Sequence, residues 1–173
     1  MRLGEICEKL TDGSHAPPQN SLKGYPVISA KNIKNGIVTF ENVDRYVDEK
    51  GFNKENRRTN ITKGDILLGI IGGSIGNLAI YTHSEKVIAQ RSIAILRSLI
   101  NNSFIIYILS SPYIQGILHE NSSGTAQGGV YLRQLYELLI PVPPLAEQEQ
   151  ITKKINELLP SISDYKIFSL TNQ

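Results

Sequence analysis

An α+β fold is what this sequence predicts: many short strands first and segregated helices after them, followed by a C-terminal coiled-coil-type helix. Three observations carry that expectation. Strand-sized apolar runs separated by Gly, Pro and Asn dominate residues 25–96, and helical periodicity takes over after residue 100. A proline-rich break at 141–144 then precedes apolar residues spaced four and three apart. Strands first and helices later argue against an alternating βαβ chain.

The elements follow in order. Leu3, Ile6 and Leu10 recur at spacings of three and four, which predicts a short amphipathic helix over 3–10. Cys7 is expected on it as a core residue rather than as a nucleophile. Gly13, Pro17 and Pro18 break the chain. Strand-like runs follow at 25–29, 36–40 and 44–47, then a polar segment with helical character at 48–58. The unbroken apolar run 66–71 has the composition of a buried central strand. A tight Gly72-Gly73-Ser74-Ile75-Gly76 turn leads to further strands at 77–81 and 92–96.

Phe104, Ile105, Ile108 and Leu109 share a helical face, Pro112 punctuates, and a second helix is expected around 113–119. Residues 122–129 read as a polar loop, 132–138 as a short helix or turn, and 140–144 as extended. The prolines at 141, 143 and 144 mark a stiff boundary, dividing a domain at 1–143 from a tail at 144–173. In the tail Ile151, Ile155, Leu158, Ile162 and Tyr165 form a heptad seam that wants a partner helix. A terminal helix packed on its own domain would show the same pattern. Pro160 either kinks that helix or restarts it.

Composition bounds the function. The 173 residues are enough for one ordinary domain and a small appendage, with 40% hydrophobic and 20% charged residues, as expected of a soluble globular protein. No apolar run nears the ~20 residues of a membrane helix, and the N-terminus lacks a signal-peptide core. A lone Cys7 offers neither an internal disulfide nor a Cys-based metal cage, so the cytoplasm is the expected location. Net charge is only +2. The densest basic stretch, Lys50, Lys54, Arg57, Arg58 and Lys63, is either a solvated face or the footprint of a phosphate-binding surface.

Catalytic constellations are not found. The histidines, His15, His83 and His119, lack zinc-ligand spacing. The glycines between Gly69 and Gly76 match neither a P-loop nor a dinucleotide fingerprint. Asp44, Asp48, Glu49 and Lys50 lie in a polar segment rather than on a buried strand, unlike a Mg²⁺-nuclease cluster. Neither Pro-Pro pair sits in a methyltransferase motif. No enzyme activity, metal or cofactor is expected.

Several motifs, in order, carry a resemblance. They are Leu3-Gly4-Glu5-Ile6 with Asp12-Gly13-Ser14-His15 and Pro18, then Lys63-Gly64-Asp65-Ile66-Leu67, then Gly124-Thr125-Ala126-Gln127. The most specific is Ile140-Pro141-Val142-Pro143-Pro144-Leu145-Ala146-Glu147-Gln148 with Ile151 beyond, continued by 154–160. Over nearly its whole length the chain resembles half of a type I restriction–modification DNA specificity subunit. That resemblance implies a target-recognition domain with a twisted mixed sheet and flanking helices, followed by a spacer helix, with double-stranded DNA as ligand and methyltransferase (modification) subunits as partners. Family members usually carry two such units, whose spacer helices pair antiparallel. One unit is present here, and the tail stops eight residues past Tyr165, so a half-size subunit that dimerises and a truncated fragment are both open. A second reading is an assembly or decoy module that binds the methyltransferase without directing it to DNA.

A DNA reader must grip phosphates and read base edges. Phosphate grip falls to Lys50, Lys54, Arg57, Arg58 and Lys63, with backbone amides at 72–74 (Ser74 included) and 124–129. Base reading needs Arg for guanine or Asn and Gln for adenine. The candidates are Lys31, Asn32, Asn77, Gln90, Arg91, Gln127, Tyr131 and Arg133, with the Gln90-Arg91 pair foremost. His15 either contacts DNA or holds its Pro-rich loop. Homodimerisation is assigned to Ile151, Ile155, Leu158, Ile162 and Tyr165.

Overall fold

The structure, a computed structural model, describes residues 1–16, 18–123 and 128–170, with side chains described for 1–16, 18–122 and 128–159. Its centre follows from the apolar run at 66–71. Strand β6 (Ile66–Gly69) is buried throughout and pairs on both sides. Side chains alternate across a strand, so Ile66 and Leu68 join one core while Leu67 joins another. The same split occurs on β9 (Ile93–Ser98), with Ala94 and Leu96 on one face and Ile93 and Ile95 on the other. A strand that buries both faces has no polar positions to alternate with, which is why this run reads as continuous.

With β1 (Cys7–Asp12) and β7 (Leu78–Ile80), these strands form a four-stranded antiparallel sheet, ordered β1-β9-β6-β7. One face is covered by α2 (Asn102–Leu109), α3 (Pro112–Ser123) and α4 (Leu132–Glu137), through Ile105, Leu109, Ile114, Leu118 and Leu135. The other is covered by the hairpin β3 (Ile33–Lys34) and β4 (Ile37–Val38) and by a second sheet. That second sheet is mixed. β2 (Tyr25–Ile28) runs antiparallel to β5 (Tyr46–Val47) and parallel to β8 (Ile88–Ala89). The expected α+β class with a mixed sheet is therefore the observed one.

Helix α1 (Glu49–Thr59) starts where Asp48 accepts a 2.7 Å hydrogen bond from the Gly51 amide, and ends at Asn60 in the left-handed region (φ 35°). Its Phe52 stacks on Tyr25, 4.1 Å between ring centroids, and closes a small core with Val27, Val47 and Ile88. After an extended strap, α5 (Leu145–Leu170) begins directly beyond Pro144 and packs on α2. Gln148 and Thr152 are the buried residues of its described part.

One expected element is corrected. The helix over 3–10 is a single 3-10 turn, Leu3–Ile6, and 7–12 is strand β1. Leu3 and Ile6 do share a buried face, so the spacing was real. The backbone beyond Cys7 instead pairs with β9, whose unpaired edge offers a ladder to every residue from Lys9 to Asp12. Tertiary pairing outweighs a short helical pattern that contains Gly4.

Candidate functional site

One end of the central sheet collects the loops. β1 ends there at Asp12, β6 at Gly69, and β9 begins there at Ile93, opposite Gly69 in the register. Backbone hydrogen bonds lace the loops together. Ser14 N donates to Ala89 O (2.7 Å), and Arg91 N to Ser14 O (3.0 Å). Ile70 N donates to Ser92 O (2.9 Å), and Ala30 N to the Ser92 hydroxyl (3.1 Å). Gly72 N donates to Gly128 O (3.0 Å), and Val130 N to Ile70 O (2.8 Å). Loops from five parts of the sequence thus become neighbours, carrying Lys31, Ser74, Asn77, Gln90, Arg91 and Tyr131. The contact is closest at Gly13, where a Cβ would sit 2.1 Å from the Gln90 carbonyl oxygen. Only glycine fits there.

Beside this end lies α1. Its exposed residues Lys50, Lys54 and Arg57 fall on one stripe, because steps of four and three at 100° per residue nearly return to the same azimuth. With Asp48 and Asn53 they line an open groove of about 690 Å³.

Two buried carboxylates fasten α1 to the sheet. Asp65 is 1% exposed and takes hydrogen bonds from Lys9 Nζ (2.8 Å), Arg97 Nε (2.8 Å) and Thr62 N (3.0 Å). Burial alone would raise its pKa; the bonds from Arg97, Lys9 and Thr62 outweigh that and hold the carboxyl below the usual range. For Lys9 burial dominates and lowers the ammonium, while Asp65 raises Arg97. Lys9 Nζ also donates to the carbonyls of Thr59 (2.8 Å) and Asn60 (2.9 Å), bringing positive charge to the C-terminal end of α1. Asp12, at the loop end, accepts from Arg58 Nη1 (2.7 Å) and bonds His15 Nε2 (2.6 Å). Arg58 Nη2 reaches Gly13 O at 2.6 Å.

The sequence-selected residues therefore divide. Gln90, Arg91, Lys31, Ser74, Asn77 and Tyr131 come together, with Lys54 and Arg57 on α1 alongside. Asn77 spends an amide hydrogen on Ile33 O (3.0 Å). Asn32 is a correction: it is 6% exposed, accepts from Ser29 N, and donates to Thr39 O and Glu41 O (both 3.2 Å). Its amide organises the 29–41 loop and has no hydrogen left for a base edge. Arg58, though its side chain is 45% exposed, spends its guanidinium on Asp12 and Gly13. Lys63 precedes the opposite end of β6, four strand residues or about 13 Å from the loop cluster. Arg133 pairs with Glu137 at 3.1 Å on the exposed face of α4. Gln127, with 124–126, lies outside the described residues. On α5, Ile151 and Ile155 are half-buried and Leu158 is 49% exposed, while the side chains of Ile162 and Tyr165 lie outside the described residues.

Sequence reasoning missed the roles of Asp12, Lys9, Asp65 and Arg97. Asp12 meets Arg58 across 46 residues and Lys9 meets Asp65 across 56, so no local spacing announces either pair. Among the described residues, no group of three or more His, Cys, Asp or Glu is placed to hold a metal ion, and no helix is long and apolar enough to cross a membrane.

This build, a sheet covered on both faces with a long helix after a proline strap, is the fold of type I specificity subunits. It superposes on the HsdS subunit from Thermoanaerobacter tengcongensis with a TM-score of 0.70 at 20% identity, covering 96% of this chain and 38% of that one. The S subunit from M. genitalium gives 0.57 at 20% identity, over 99% and 41%. In sequence, the chain is 27% identical over 145 residues to the type I restriction enzyme EcoBI specificity subunit of Escherichia coli, which is 82% of this chain and 30% of the relative. It is 26% identical over 162 residues to the putative MjaX specificity subunit of Methanocaldococcus jannaschii, or 90% and 38%. The chain thus spans about a third of the length of these relatives. It belongs to the family of type I restriction modification DNA specificity domains, whose pattern matches residues 1–165.

Proposed function

We propose that this chain is a sequence-reading DNA module without catalysis of its own, which directs partner adenine methyltransferase subunits of a restriction–modification complex to a target. Family membership over residues 1–165 is the observation that carries this reading. The convergence of Gln90, Arg91, Lys31, Asn77 and Tyr131 at one sheet end, beside the Lys50–Lys54–Arg57 stripe, supports it. Amide and guanidinium groups at the sheet end are suited to base edges, and the stripe to phosphates.

Residues 1–143 would read a half-site of roughly three to five base pairs in the major groove, and 144–173 would space it. The partly exposed Ile151, Ile155 and Leu158 would join two copies, and two-fold symmetry would then impose an inverted repeat with a fixed gap. Methylation mapping in cells carrying this chain with its neighbouring methyltransferase tests all three points. A modified bipartite motif is expected, its halves inverted. Methylation that is absent, although the chain co-purifies with the methyltransferase, would replace this reading with the assembly-module one.

A further inference from the structure

Arg57 and Arg58 look equivalent in sequence, and the fold separates them. Consecutive helix residues point 100° apart. Arg57 joins Lys50 and Lys54 on the exposed stripe, whereas Arg58 turns toward the end of β1. There Nη1 bonds Asp12 Oδ1 at 2.7 Å and Thr11 Oγ1 at 3.2 Å, and Nη2 bonds Gly13 O at 2.6 Å. Asp12 is 9% exposed, and its second oxygen holds His15 at 2.6 Å. Two residues on from Asp12, Ser14 exchanges backbone hydrogen bonds with Ala89 and Arg91 on the turn that carries Gln90 and Arg91. A continuous hydrogen-bonded path therefore runs from α1 through Arg58, Asp12 and Gly13 to the Gln90–Arg91 turn.

We propose that Arg58 and Asp12 form a positioning strut, which fixes the Gln90–Arg91 turn relative to the basic stripe of α1 and so sets sequence selectivity without touching DNA. This rests on the DNA-reading function proposed above. A reader whose phosphate-gripping helix and base-reading turn are held in register pays less ordering entropy on its correct sequence. Loosening that register leaves the phosphate grip intact and erodes discrimination. A phosphate contact behaves in the opposite way: each one lost removes ~0.9 from the salt slope and weakens all sequences alike.

The test uses the full chain as wild type, Arg57→Ala, Arg58→Ala, Arg58→Lys and Asp12→Asn, with a pool of randomised duplexes as probe. Affinity for the pool is measured against salt, enrichment of the selected sequence over the pool is counted, and backbone amide exchange is followed without DNA. Arg57→Ala should lower the salt slope by ~0.9 and keep the same enriched sequence. Arg58→Ala and Asp12→Asn should keep the slope and lose about tenfold in enrichment, the equivalent of ~1.4 kcal/mol. Arg58→Lys, which retains one cation for Asp12, should recover part of it. The Ser14 and Arg91 amides should exchange about tenfold faster in Arg58→Ala while the β9 core amide of Ile95 is unchanged. Should Arg58→Ala fail to fold, Arg58→Lys and Asp12→Asn carry the same readouts. A slope lowered in Arg58→Ala as in Arg57→Ala, or enrichment and amide exchange both unaltered, overturns the strut. Wild type that binds no duplex overturns the DNA reading instead, and the amide exchange then decides the strut by itself.

Discussion

Replacing Asp65 with Asn keeps the shape of the side chain and removes its charge, and the consequence can be worked out from its surroundings. The carboxylate is 1% exposed and faces two cations, Lys9 at 2.8 Å and Arg97 at 2.8 Å. In the variant an amide would confront a half-buried ammonium and a guanidinium with no counter-charge. Removing one partner of a buried pair costs 3–5 kcal/mol. The side chains of Lys9 (15% exposed) and Arg97 (27% exposed) keep some access to water, which argues for the lower end, about 3 kcal/mol. A domain of this size shifts its Tm by roughly 2–4 °C per kcal/mol, so Asp65→Asn should melt about 6–12 °C below wild type at pH 7. The difference depends on pH. A carboxyl held below its unfolded value contributes stability that is complete above the unfolded pKa of about 3.9 and is lost as pH falls through the lower folded-state value. Melting curves of the two proteins should therefore converge below pH 4. Calorimetry from pH 2 to pH 8 makes the comparison. A variant melting within about 2 °C of wild type at pH 7, or a gap that persists undiminished to pH 2, would refute the assignment.

Other consequences can be checked independently. Changing Ile151, Ile155 and Leu158 to polar residues should abolish self-association in sedimentation while the melting of the 1–143 fold is kept, since Gln148, bonded to Asn101 and Pro143, and Asn156, bonded to Tyr107, hold α5 to that fold; a variant still dimeric removes the seam. Gly13→Ala places a methyl 2.1 Å from the Gln90 oxygen, and should cost about 2 kcal/mol or more in denaturant titration through forced backbone movement. Burial pushes the Cys7 thiol up to about 11, so at pH 8 it should react with a disulfide reagent far more slowly than a free cysteine, recovering that rate only on unfolding.

Much of the fold was legible because its cues are local. The apolar run at 66–71, the punctuation by Gly72 and Pro112, and the prolines before Leu145 each act within a few residues, and β6, α2, α3 and α5 lie where those cues put them. Strands β3 and β8, two residues each, went unpredicted, because each exists through pairing with another strand, β4 and β2 respectively. The first helix expected at 3–10 failed for the opposite reason, since its spacing was satisfied by a turn and a strand that together bury the same residues.

Residue types at the candidate site could be chosen from sequence, and their company could not. Amides, guanidiniums and lysines announce what they are able to bond. Whether they are available depends on partners far along the chain: Asn32 is consumed by its own loop, Arg58 by Asp12, and Lys9 by Asp65. By itself the sequence determined the fold class, the start of the last helix beyond the prolines and the chemistry on offer, because propensity, turn geometry and hydrophobic period act over short separations. Only the tertiary structure decided which of two adjacent arginines is tied to Asp12 and which loops share an end of the sheet. Those choices are made by strand pairing and buried charge between residues that no local pattern connects.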